Sequence, residues 1–429
     1  MTKKPVVPKE YLIPFILVTT LFALWGFAND ITNPMVKVFS KILDMSAFEG
    51  SLVQAAFYGG YCFMALPAAI FITRFSYRAG ILTGLTLYAV GCLLFIPASI
   101  TLSFAPFLAC FFIMTCGLSF LETSANPYIM SMGEDETATR RLNLAQAFNP
   151  MGALTGMFVA KTFIMSKIDS RTQEERAALP EAEIEAIVQS DLAILRAPYV
   201  TLGIVVLVVL VVFAIVKLPV HQRDKSGGLQ LGATFGRLFK NMRWIGGVVA
   251  QAFYVGAQIM CWTFIIHYGT EVFMAEGMAE QEAESLSQNF NIAAMCLFLT
   301  SRFVCTFLLK FFTPGKLLTV LALGGMATIL GTIYLEGRAG IYCLVATSGC
   351  MALMFPTIYG IALEGLKEDA KLGSAGLIMA IGGGCLMPPL QGAIIDSSGV
   401  NVSFYLPFIC FVVIAIYGFL CRKPRLQAS

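Results

Sequence analysis

The first residue whose chemistry asks for an explanation is Glu122. It stands in "FFIMTCGLSFLETSANPYIM", residues 111–130, where an apolar run acquires a carboxylate, a polar patch and then Asn126-Pro127. Glu122 and Asn126 are four apart and share a helix face. Pro127 removes a backbone donor and frees carbonyl oxygen in the preceding turn. About ten residues separate Glu122 from the inner end of its segment, or ~15 Å at a helical rise, which is near the middle of a bilayer. A carboxyl held out of water there can take up and release a proton near neutrality. Burying such a charge costs roughly 3 kcal/mol or more, and by default it marks a proton or substrate site. The structural alternative is an ion pair with a neighbouring helix.

Two other charges fall inside apolar runs. Asp30 belongs to "LWGFANDITNP", where Asn29 and Asn33 are four apart, Asp30 and Asn33 three apart, and Pro34 ends the helix. This cluster suits a cavity wall and a second coupling carboxylate, or else a helix end near water. Arg302, in "FLTSRFVCTF", reads first as structural, its stem buried and its head turned toward the inner face.

Amides and aromatics recur at helical spacing. In "RRLNLAQAFNPMGALTG", Asn143, Gln146 and Asn149 form one stripe; in "VVAQAFYVGAQIMCWTF", Gln251, Tyr254, Gln258 and Trp262 form another. Amides both donate and accept, as each hydroxyl of a sugar does. Aromatic rings cover the apolar faces of a sugar, and pockets in general combine apolar walls with a few convergent polar groups. Helix-to-helix hydrogen bonding also uses Asn and Gln. The two stripes together with a midplane glutamate favour a cavity for a polar substrate, to which Asn291, Trp25 and Tyr359 are added as candidates. No metal constellation forms around His221 or His267, and no nucleophile or phosphate-loop pattern is present, so no enzyme, catalytic residue, metal site or cofactor is expected.

Elements must hold these residues in lipid. Of 429 residues 57% are hydrophobic and only 13% charged, against about 25% charged in a soluble domain. The stretch after the basic N-terminus runs too long for a signal peptide and reads as a first span. Cysteines such as Cys62, Cys92 and Cys110 lie inside apolar runs and fit small buried hydrophobes. The net charge of +3 is too small and scattered for nucleic acid.

Hydropathy with Gly, Pro and charge punctuation predicts twelve spans, near 11–36, 50–72, 80–98, 103–131, 142–165, 197–216, 244–270, 288–309, 317–335, 339–363, 372–395 and 402–421. Most of the Lys and Arg fall on the side of the termini, so both termini are expected in the cytoplasm. "EVFMAEGMAEQEAES" is then an acidic outer loop, and the charged stretch 166–198 is expected to form outer surface helices. A basic linker at 217–243 divides the chain into six-helix halves, 1–216 and 244–429. A weak repeat supports the division: "FITRFSYRAGILTGLTLYAVG" resembles "LLKFFTPGKLLTVLALGGMA", and "NPYIM" matches "FPTIYG" in position. The expectation is an all-α membrane protein of two pseudo-symmetric bundles, the major facilitator architecture, with substrate at midplane between the halves.

The chain resembles the L-fucose:proton symporter family of the major facilitators, which includes glucose and galactose permeases. The segments that carry the resemblance are "LFALWGFAND", "QAAFYGGY", "RFSYRAGILTGL", "LETSANPY", "RLNLAQAFNPMGA", "AQAFYVGAQIMCW" and "FPTIYGIAL". The usual loop signature after span two is degraded, with Thr73 where an Asp is common, and that loss is typical of the family. The resemblance implies that Glu122 is essential for proton coupling and that Gln146 and Asn149 touch sugar. The family's span-one carboxylate aligns with Asn33; Asp30 stands one turn earlier, so the carboxylate has either moved along the face or been lost.

These readings converge on a carrier in a bacterial inner membrane. It imports a neutral monosaccharide with a proton, or alternatively sodium, by alternating access, and works as a monomer. L-fucose is the first substrate, with glucose, galactose, mannose and N-acetylglucosamine as alternatives. The rival is a drug or organic-anion exporter of the same architecture.

Overall fold

The computed structural model describes residues 7–133, 141, 144–146, 148–171, 175–176, 178–216, 231–308, 311–364, 366 and 369–422. Asn143, His221 and most of the linker lie outside the described residues. Every long element is helical: α1 Leu12–Thr32, α2 Met35–Ile42, α3 Ala47–Arg74, α4 Tyr77–Leu93, α5 Ala105–Ser131, α6 Phe148–Val159, α7 Glu181–Ile215, α8 Leu231–Leu238, α9 Met242–Ala275, α10 Glu280–Leu308, α11 Pro314–Tyr334, α12 Arg338–Met351, α13 Met354–Leu363, α14 Ala370–Met379, α15 Gly383–Ser398 and α16 Tyr405–Leu420. In lipid the backbone must satisfy its own polar groups, which is why an apolar chain of this kind resolves into helices.

Among the described residues ten helical stretches are long and apolar enough to cross a membrane. The fifth expected span is present as α6 and a π-helical continuation, Ala160–Met165. The eighth is α10, which is long enough but carries acids and amides along one face. Large apolar side chains point outward from the spans, among them Val208 and Ile215 on α7, Val320 on α11 and Leu420 on α16. Such exposure suits lipid contact.

Three boundaries differ from expectation. The first span breaks at Asn33-Pro34 and resumes as α2, an amphipathic helix of about two turns carrying Lys37 and Lys41. The stretch "EAEIEAIVQSDLAILR" is no separate surface helix; it is the N-terminal half of α7, continuous through Pro198 into the membrane. Most of the acidic outer segment is likewise helical, forming the end of α9 and the start of α10.

The helices gather into two compact units. The first comprises Met1–Thr32, Phe63–Asp169 and Ala178–Gly228; the second comprises Asn33–Cys62, Ser170–Ala177 and Leu229–Ser429. In the first unit α1 and α6 touch backbone to backbone. A methyl on Gly26 would collide with the Asn149 carbonyl, and one on Gly152 with the Ala23 carbonyl. Phe95 stacks on Tyr199 with centroids 4.2 Å apart, joining the end of α4 to α7.

In the second unit, Asp396 at the end of α15 accepts from the Ala47 and Phe48 amides at 2.9 and 2.8 Å, capping α3 from another helix. The Arg237 guanidinium of α8 meets Asp369 through two hydrogen bonds, at 2.8 and 2.6 Å, and holds that carboxyl below its ordinary range.

Candidate functional site

Glu122 lies two-thirds along α5, 8% exposed, and its Oε2 has no hydrogen-bond partner among the described residues. No described base pairs with it, in contrast to the ion-pair alternative. One turn on, Asn126 donates from Nδ2 to the Glu122 carbonyl at 3.1 Å. Its Oδ1 accepts from Gln146 Nε2 at 3.2 Å. The amides of the fourth and fifth spans therefore form one chain that ends on the backbone carbonyl of Glu122. Asn149, three residues past Gln146, donates to the Phe22 carbonyl of α1 at 3.3 Å. Phe22 stacks on Trp25, centroids 5.5 Å apart. The first unit thus links Asn126 to Gln146 and to the Glu122 backbone, and ties Asn149 to α1 beside the Phe22–Trp25 stack.

Because Asn126 and Gln146 share one bond, their substitutions are expected not to add. Asn126→Leu and Gln146→Leu should each cost about 1 kcal/mol of stability, and the double variant little further. Thermal unfolding of the two single variants and the double variant in detergent tests this, and full additivity would dissolve the network.

The remaining α1 candidates are placed less uniformly. Asn29 is half-buried with Oδ1 unpartnered, and Asp30 is buried. Asn33, in the turn after α1, belongs to the second unit, where it accepts from Gln54 Nε2 at 3.3 Å.

In the second unit Gln251 is fully buried, and among the described residues both atoms of its amide lack a partner. Tyr254 donates to the Met351 carbonyl at 3.1 Å and lies edge-on to Phe355. Gln258 is half-buried. Trp262 spends its indole N–H on Ser348 Oγ at 3.0 Å and packs against Phe298, so it has a packing role whatever else it touches. Tyr359 is half-buried and stacked on Phe355. Arg302 lies over the Phe298 ring, 5.2 Å from its centroid, and donates to the Ala352 carbonyl at 3.4 Å, a structural setting in line with its first reading. Asn291 is fully buried, and among the described residues neither of its amide atoms has a partner.

Sequence reasoning passed over Gln54 and Gln288, both fully buried. Gln288 could have been found, since Glu284, Gln288 and Asn291 fall at i, i+4 and i+7 on α10. Gln54 could have been found too, since Ser51, Gln54, Tyr58 and Tyr61 fall at i, i+3, i+7 and i+10 on α3.

Among the described residues no three His, Cys, Asp or Glu gather as metal ligands. A membrane-spanning helical protein with a buried carboxyl on the same helix as a bonded pair of amides has the parts of a carrier. The chain matches the Major Facilitator Superfamily over residues 17–384 and belongs to that family. It is 52% identical to the L-fucose-proton symporter of Haemophilus influenzae, with 97% of this chain and 98% of that protein covered. It is 34% identical to the L-fucose-proton symporter of Escherichia coli, over 96% and 93% of the two chains. The fold is similar to the crystal structure of a major facilitator transporter, FucP, in the outward conformation, with a TM-score of 0.75, 33% identity, and 97% and 100% of the two chains covered. These relatives are transporters, not enzymes. They are symporters, which overturns the exporter alternative.

Proposed function

We propose that this chain imports a neutral monosaccharide, L-fucose or a related hexose, together with a proton, by alternating access in which 1–216 and 244–429 act as the moving halves. The observation that carries this reading is Glu122, buried beside the Asn126–Gln146 pair with one carboxylate oxygen unpartnered. A buried carboxylate with no cation beside it is unfavourable, so the loaded carrier closes with Glu122 protonated, and deprotonation on the far side resets it. Asp30, one turn from where the resemblance places a second carboxylate, takes the remaining coupling role. Gln146, Asn149, Asn126, Asn29 and Asn33 serve hydroxyls, and Trp25 covers an apolar sugar face. From the other half, Gln251, Tyr254, Gln258, Trp262, Asn291 and Tyr359 contribute. Both termini face the cytoplasm of a bacterial inner membrane, and the chain works as a monomer.

Each positive charge carried inward gains ~2.3 kcal/mol per 100 mV of membrane potential, enough to concentrate a neutral solute. The test is uptake of a panel of labelled hexoses into proteoliposomes, with a pH gradient and a sodium gradient imposed separately. Accumulation of one or a few hexoses under the pH gradient alone is the expected result. Accumulation under sodium alone would replace the coupling ion, and no uptake under either gradient would overturn the importer.

A further inference from the structure

Two segments that precede the basic linker, Asn33–Cys62 and Ser170–Ala177, fall within the second unit, although the sequence division puts both in the half 1–216. A set of charged contacts that the coupling mechanism does not use holds them there. On α10, Glu284 Oε2 accepts from Lys41 Nζ of α2 at 3.4 Å, and its Oε1 lies 3.7 Å from Lys37 Nζ. One turn earlier on α10, Glu280 lies 3.9 Å from the same Lys37. Lysines four apart thus face acids four apart, and two helices distant in the chain are pinned along one seam.

Neighbouring contacts extend the seam. Arg176 donates to the Lys41 carbonyl at 3.3 Å, which ties Ser170–Ala177 to the same turn of α2. Beyond α2, the first turn of α3 is capped by Asp396 of α15, and Gln54 of α3 donates to Thr263 of α9 at 3.1 Å. In the orientation read from the charges, α2, the start of α3, the start of α10 and the end of α15 all fall on the outer side.

The energetics suit a contact that opens and closes. The side chains of Lys41 and Glu284 are only 6% and 4% exposed, so pairing strips water from both charges. In such a pair the cost of desolvation largely offsets the attraction, and parting the two charges into water costs little. Removing one partner is different: the other becomes a lone buried charge while the seam is shut and a hydrated one when it opens. Apolar side chains in both places would hold the seam more tightly, since neither would regain water on opening.

We propose that Lys37 and Lys41 with Glu280 and Glu284 form a latch that shuts the outer side of the carrier and parts each time that side opens to admit sugar. The inference rests on the alternating-access reading, in which 1–216 and 244–429 move against one another; the latch joins a helix of one to a helix of the other. Lys41 and Glu284 are positioning residues: they touch neither the sugar nor the coupling carboxyl, and they set how often the outer side opens.

The test puts a reporter beside the seam. Thr263, 1% exposed and bonded to Gln54, is replaced by cysteine. The rate of its modification by a charged, membrane-impermeant thiol reagent is measured in right-side-out membrane vesicles without sugar, and labelling of the native cysteines is subtracted using protein without Thr263→Cys. On this background Glu284→Gln should raise the rate at least about tenfold, because it strands Lys41 as a lone buried charge only while the latch is shut. Lys41→Gln should raise it less, since Lys37 still faces Glu284, and it serves if Glu284→Gln fails to fold. Lys41→Met combined with Glu284→Leu should lower the rate below that of the parent. Opposite signs for the charged and the apolar replacements are a readout that general loosening of the helices would not produce. An unchanged rate in the folded single variants, or a raised rate in the double variant as well, overturns the latch. Labelling needs no transported sugar, so the import reading fails separately, by absence of hexose uptake in vesicles whose labelling responds as described.

Discussion

Glu122→Gln is expected to abolish gradient-driven accumulation while leaving sugar exchange across the membrane. Glutamine keeps the shape of the protonated carboxyl and can still donate a hydrogen bond, but it cannot release a proton. The buried position, with Oε2 unpartnered and no described base beside it, makes the neutral form the one compatible with a closed, dry carrier. The variant is therefore held in a permanently protonated mimic: it binds sugar and rocks in both directions, with no charge carried. At 100 mV the proton supplies ~2.3 kcal/mol, equivalent to a ~50-fold sugar gradient. Wild type should approach that ratio, and the variant should stay near unity. Accumulation and counterflow in the same vesicles separate the two functions. Undiminished accumulation would remove Glu122 from coupling; loss of counterflow too would assign it to sugar binding instead.

The second large effect comes from a residue with no side chain. Gly152→Val puts a branched side chain where the Ala23 carbonyl of α1 lies against α6, and a backbone atom cannot swing aside. Gly26 faces the Asn149 carbonyl in the same contact, so the strain cannot be passed across it. Overpacking of this kind costs about 2 kcal/mol or more. Separating α1 from α6 would also break the Asn149 bond to the Phe22 carbonyl and shift Gln146 from Asn126. The expected outcome is a lower thermal midpoint in detergent together with at least about tenfold slower uptake. Gly152→Ala should do less harm than valine but more than alanine usually does within a transmembrane helix. A Gly152→Val protein with wild-type stability and uptake would mean that the helices do not approach this closely.

Hydropathy made the class of the protein legible, because lipid permits few alternatives to helices and leaves every buried charge conspicuous. Glu122 was found for that reason, and so were the two amide stripes, whose spacing marks one helix face. The partners were not legible. Spacing put Gln146 on a stripe but could not say that it would meet Asn126, since that depends on how the fourth and fifth spans cross. Nor did Gln251, Tyr254 and Trp262 keep equal standing: Tyr254 and Trp262 have bonds to Met351 and Ser348, whereas the Gln251 amide has none. The length of α7 was missed because a hydropathy boundary marks the edge of the membrane and not the end of a helix; acidic residues at Glu181–Glu185 favour a helix N-terminus rather than preventing it.

By itself the sequence determined that this chain lives in lipid, that it is helical, and that a carboxyl and a set of amides sit where water is scarce. These follow from transfer energies and helical periodicity, which are local properties of residue type and spacing. Only the tertiary structure decided which of those polar groups satisfy one another and which are left over, because hydrogen-bond partners come from segments far apart in the chain. Among the described residues the leftover groups include Glu122 in the first unit and Gln251, Gln288 and Asn291 in the second.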